Sequence, residues 1–146
     1  MTGSAILSPA DVAVAYFDRL DRGAPELFEL FADDFEFYFP KFGIGKGTED
    51  FVACMTGLQG RLESITHYVD RSAVIVAGDK VVVEGLSSGR MKSGEEWHGG
   101  VTAGGRFCNV FEIRGGLIER VSVYLDPDYV SEDTERFLWK NRKSQW

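Results

Sequence analysis

Asn109 stands between Phe107 and Phe111 on one face of an alternating run, an unusual place for an amide. Set among phenylalanines, it must find hydrogen-bond partners or cost stability. It therefore either ties a buried network together or meets a ligand. Tyr16 offers a phenol from an apolar helical stripe, and the plain alternative is a core tyrosine bonded to a backbone carbonyl. Asp126 precedes Pro127, which holds it extended at a strand end. There it is a candidate general base if buried, and an ordinary strand terminus if exposed. His67 opens the first long strand, and Glu84 interrupts a valine run. Either is a candidate base if it faces inward; the alternatives are a structural histidine and a surface glutamate. An amide, a phenol and a carboxylate set among aromatics are what a small apolar pocket with a few aimed polar groups would need. Phe37, Phe39, Phe51, Met55, Phe107, Phe111 and Tyr124 would supply an apolar wall, with Trp97 and His98 at its rim or at a subunit interface.

These residues need elements to position them. The hairpin Arg106 to Asp126 turns at Gly115-Gly116, because glycine accepts the positive φ of tight hairpins. Side chains alternate faces along it. Ser122, Tyr124 and Asp126 share one face of the return strand and Val121, Val123 and Leu125 the other. An α-helix starts at Ser8-Pro9-Ala10-Asp11, with Ser8 as cap, and ends at Gly23. A short second helix opens at Pro25. A turn at Ala32-Asp33-Asp34 leads into a strand through Phe35, Phe37 and Phe39. Gly43, Gly45 and Gly47 predict a flexible loop. The Gly45-Lys46 pair does not make a phosphate loop, because residue 47 is Gly where Ser or Thr is required. Thr48 would cap a third helix, shortened by Gly57 and Gly60. Ile65 to Val76 and Lys80 to Met91 read as strands joined at Gly78-Asp79. Ser93 to Glu96 is a polar turn, and Gly99 to Gly105 a bulge or loose strand end. Ser131 would cap a last helix over about 131–143. Helices first and strands after indicate an α+β fold, in one domain spanning 1–146. A curved, mixed or antiparallel sheet with about three helices on its concave side would enclose a conical apolar pocket.

Composition narrows the partners. The 146 residues carry a formal net charge of -7, which argues against nucleic acid and anionic membranes. No apolar run reaches the roughly 20 residues of a membrane span, and the first residues lack a signal-peptide pattern. The two cysteines, Cys54 and Cys108, fit a reduced, cytoplasmic protein. Two separated histidines predict no metal site.

Four segments, AYFDRLDRG, LFADDFEFYFP, VAGDKVVVEG and FCNVFEIRGGLIERVSVYLDP, resemble the NTF2-like superfamily, and within it the SnoaL-like and ketosteroid-isomerase-like proteins. The resemblance covers roughly Pro9 to Asp126. It implies a cone-shaped fold and a small apolar ligand, with no cofactor. Tyr16, seven residues before Gly23, matches the oxyanion-hole tyrosine of the isomerases. Asn109 falls where they place a protonated aspartic acid. Phe39 falls where they place the catalytic aspartate, so steroid-type isomerisation by that route is not expected. Asp126 resembles the carboxylate of SnoaL-type polyketide cyclases.

The resulting expectation is an isomerase-, cyclase- or dehydratase-type enzyme acting on a small apolar carbonyl or polyketide-like compound. The alternatives are a non-catalytic binder of an apolar ligand and a dimeric interaction module. Outward rows of Val81, Val83, Cys108, Val110, Val121 and Val123 would make a homodimer surface.

Overall fold

The computed structural model describes residues 6–139. Helix α1 (Pro9–Asp21) begins where the sequence indicates. The Asp11 N–H donates to Ser8 Oγ at 3.1 Å, proline fills the first turn, and Gly23 follows with φ +62°. Its inner stripe, Val12, Ala13, Tyr16 and Phe17, is buried. A 3-10 turn, Pro25–Leu30, leads into β1 (Phe31–Phe39). Ala32-Asp33-Asp34 does not turn the chain. It lies within β1, where the pairing with β8 shifts register between Phe31 and Glu36, and Phe31 and Phe35 are both buried. Strand β2 (Gly43–Lys46) replaces the expected loop and pairs antiparallel with β1. Gly45 lies opposite Phe37 and directly under its ring, where a Cβ would collide.

Helix α2 (Gly47–Gln59) is a regular helix of 13 residues, not a short one. Thr48 does not cap it; the Asp50 carboxylate instead accepts the Lys46 N–H at 2.8 Å. Gly57 lies on the exposed face, while Phe51 and Cys54 are buried, and their burial outweighs the glycine's cost of roughly 1 kcal/mol.

The long strand expected over Ile65 to Val76 is broken. Strand β3 (Leu62–Tyr68) ends before a 3-10 turn, Arg71–Ala73, and β4 (Ile75–Ala77) resumes after it. Asp70 is responsible: its carboxylate accepts the Ser72 N–H at 2.9 Å, which favours a turn over the ladder. Strand β5 (Lys80–Met91) pairs with β3 and β4, and also with β6 (Glu96–His98) and β7 (Arg106–Arg114). The hairpin closes with β8 (Leu117–Leu125), its turn glycines at φ +58° and +76°. The curved sheet runs β2-β1-β8-β7-β5-β3, with only the β1–β8 pair parallel. The fold is α+β, two α-helices and the first 3-10 turn packing on one face of a mixed sheet.

The last helix is not formed over the described part of 131–143. Ser131 takes φ +58°, the Asp128 carboxylate accepts the N–H groups of Glu132 and Asp133, and only a 3-10 turn, Thr134–Phe137, follows. Phe137, Leu138 and Trp139 are consecutive and make no helical stripe to bury. The rest of that expectation lies outside the described residues.

The return strand presents the opposite face from the one its alternation suggested. Arg114 pairs with Leu117 and Ile113 with Ile118, but Glu112 pairs with Arg120. Glu119 is therefore an extra residue, and a one-residue shift exchanges faces. Val121, Val123 and Leu125 lie opposite Phe111, Asn109 and Phe107, so they point inward. Val81 and Val83 lie opposite Phe111 and Asn109 and are buried too. The outward valine rows thus reduce to Cys108 and Val110, with Val82 beside them. Most of the valines expected on an apolar dimer face therefore lie in the core.

Candidate active site

A cavity of about 400 Å³ opens between the C-terminal ends of α1 and α2 and strand β3. Phe17, Phe37, Phe39, Phe51, Met55 and Phe107 make much of its wall, with Val121, Val123 and Leu125 from β8. That volume lies within the usual range for small-molecule sites, about 300–1,000 Å³.

The principal polar group is a pair. Asp21 ends α1, and His67 sits on β3. His67 Nδ1 lies 2.6 Å from Asp21 Oδ1, and the His67 backbone N–H donates to Asp21 Oδ2 at 2.7 Å. Both side chains are largely buried, at 10% and 18% exposure. A carboxylate only accepts, so a proton on Nδ1 points at Asp21, and in the neutral imidazole Nε2 then carries the lone pair. The ring is held between aromatics, its centroid 5.3 Å from Phe17 and 5.2 Å from Phe107. Hydrogen bonding and packing together fix its orientation.

Tyr16 also lines the cavity and is 2% exposed. Its ring packs edge-on against Phe17 and Phe111. Burial raises its pKa well above the usual tyrosine value, so the phenol keeps its proton. Asn109 lines the same cavity at 3% exposure, and its Oδ1 has no hydrogen-bond partner. Tyr129, from the segment after β8, adds a second buried phenol, stacked on Trp97 at 4.5 Å.

The cavity brings together Tyr16, His67, Asn109, Phe37, Phe39, Phe51, Met55 and Phe107 from the sequence candidates. Phe111 packs behind Tyr16 in the core. The other candidates lie elsewhere. Asp126 is exposed, accepts the Asp128 N–H at 2.9 Å, and borders a separate groove beneath Thr134–Phe137. Tyr124 is 53% exposed and, like Glu84, lies on the outer face of the sheet. Both corrections follow from register: the Glu119 bulge turns Tyr124 outward, and Glu84 pairs with Cys108, on the face opposite Asn109. Trp97 is not on the rim. It is fully buried with Leu62, Met91 and Tyr129, its indole N–H donating to Ser87 Oγ at 3.1 Å. His98 is exposed.

Asp21 was missed by sequence reasoning. Its signal was present: it follows Phe17 by four residues, which places a carboxylate on the buried stripe of α1. Tyr129 carried no comparable signal. Among the described residues no three His, Cys, Asp or Glu side chains converge in a way that could hold a metal.

A curved α+β sheet closing on an apolar cavity defines the class, and residues 13–121 match the model of the SnoaL-like domain. The chain belongs to that family, and its fold is NTF2-like. No curated protein matches by sequence. Solved structures match in fold. An NTF2-like protein of unknown function from Burkholderia pseudomallei K96243 is 15% identical, with 83% of this chain and 93% of that one covered at a TM-score of 0.71. TerC co-crystallised with polyporic acid is 18% identical, with 82% and 92% covered at a TM-score of 0.68. A candidate polyketide cyclase from Pseudomonas putida KT2440 is 17% identical, with 86% and 98% covered at a TM-score of 0.66. Among the described residues no helix is long and apolar enough to cross a membrane.

Proposed function

We propose that this protein catalyses a cofactor-independent proton transfer on a small, largely apolar carbonyl compound. The base is His67 and its orienting partner is Asp21. The observation that supports this most directly is the 2.6 Å contact between His67 Nδ1 and Asp21 Oδ1 at the wall of an apolar cavity. Asp21 holds the Nδ1 proton and stabilises the imidazolium that forms when Nε2 takes a proton from the carbon beside the carbonyl. The Tyr16 phenol donates to the oxygen on which charge develops. Its raised pKa keeps it a neutral donor across the working range. The imidazolium then returns the proton to the same skeleton, at another carbon or at oxygen. The aromatic wall excludes water. This reading moves the base from Asp126 to His67, because Asp126 is exposed and borders the other groove. A polyketide-like substrate is in keeping with the family and with the Pseudomonas relative.

The test is deuterium exchange in D₂O. A panel of cyclic ketones and polyketide-like carbonyl compounds is incubated with enzyme, and loss of the α-proton signal is followed by NMR. The wild type should exchange at least one compound, and His67→Gln should slow it by roughly 10²–10⁴. If the wild type exchanges nothing yet binds the panel, the cavity is a binding site without chemistry.

A further inference from the structure

We infer that the substrate carries a neutral hydroxyl group in addition to its carbonyl, and that Asn109 Oδ1 accepts from it. The inference rests on the cavity being a ligand site, as proposed above, and not on its being catalytic. Asn109 lies on β7 between Phe107 and Phe111, opposite Val83 on β5 and Val123 on β8. All four neighbours are buried apolar residues. A side chain that only filled this space would be apolar as well. The amide oxygen is instead buried at the cavity with no partner, which costs stability unless a ligand supplies a donor. An unsatisfied acceptor calls for a ligand with a donor.

The charges around the cavity disfavour an anionic ligand. Asp21 and Glu63 line it, and α1 and α2 both direct their C-terminal, partially negative ends towards it. The cation on its lining, Arg22, is paired with Asp18 at 2.9 Å. A carboxylate or phosphate would meet this field unfavourably. A hydroxylated ring compound meets both conditions: its ring lies against phenylalanines and its O–H meets Asn109.

The experiment compares naphthalene, 2-naphthol and 2-naphthoate for binding to the full chain by calorimetry. For the wild type, 2-naphthol should bind about 10- to 100-fold tighter than naphthalene, and 2-naphthoate more weakly than 2-naphthol. Asn109→Leu keeps the branched shape at a larger volume and should reduce the naphthol preference to within about two-fold. Asn109→Asp keeps shape and an acceptor oxygen and should retain it, which covers the case in which the leucine variant does not fold. Equal wild-type affinity for naphthalene and 2-naphthol would overturn the inference. So would a preference that survives Asn109→Leu, since the hydroxyl would then be read elsewhere. Binding of none of the three would overturn it too, while the exchange assay judges the catalytic reading separately.

Discussion

Asp21 and His67 show how one contact can set the character of a site. Asp21 accepts twice from His67, once from the ring and once from the backbone, so it fixes both the tautomer and the path of β3 beside α1. The roles separate by substitution. His67→Gln removes the base and should lower turnover by roughly 10²–10⁴. Asp21→Asn keeps the shape but offers a neutral acceptor, and should lower turnover less while leaving the affinity for neutral ligands within a few-fold. Tyr16→Phe should lower turnover by roughly 10²–10³, the usual loss for one oxyanion donor, with the pH profile unchanged. Steady-state kinetics on the exchanged substrate checks all three. A Tyr16→Phe enzyme with full turnover would remove the phenol from the mechanism. His67 is readable as a candidate because it opens a long strand whose alternation can turn it inward. Its partner is not, because it lies 46 residues away and only the fold joins them.

At the scale of elements, the strongest periodic signals survived and the local irregularities did not. The capped start of α1, the strand Lys80–Met91 and the Gly115-Gly116 hairpin all follow from patterns within a few residues. The Glu119 bulge has no such signature, yet it decides which side of β8 meets the cavity. That is why unbroken alternation puts Tyr124 inside and Val121 and Val123 outside. Asn109 needed no bulge to be placed correctly, because its own strand alternates without interruption up to Glu112. The bulge can be tested directly. Inserting one alanine after Arg120 places it opposite Phe111 and drives Ser122 and Tyr124 toward the core in place of Val121 and Val123. That insertion should lose several kcal/mol or prevent folding, whereas Glu119→Ala keeps the residue count and should cost less than about 1 kcal/mol. Urea denaturation distinguishes them, and similar midpoints would mean that register is set elsewhere. Gly45→Val should also destabilise, because its side chain would enter the space filled by the Phe37 ring.

The whole molecule is a shell of aromatics that protects two phenols. Tyr16 lies in the main core and Tyr129 in the smaller cluster with Trp97, and both line the cavity. Burial raises both pKa values above the usual tyrosine range, with neighbouring ionisable groups adding to the effect. The folded state therefore binds these two protons more tightly than the unfolded chain does. Their contribution to stability is complete below the unfolded tyrosine value of about 10, and it is lost as pH rises above that value. Stability should accordingly fall in alkali, and these two of the five tyrosines should ionise together with unfolding. Absorbance near 295 nm, followed beside circular dichroism through an alkaline titration, makes the comparison. Tyr16→Phe should remove part of the late absorbance change and move the alkaline unfolding midpoint upward, since one fewer buried phenol is left to ionise. If all five tyrosines ionise while the secondary structure is intact, the two phenols are reached by solvent in the folded state. The cavity would then be open to bulk water, and the water-excluding wall on which the proposed proton transfer depends would be lost with it.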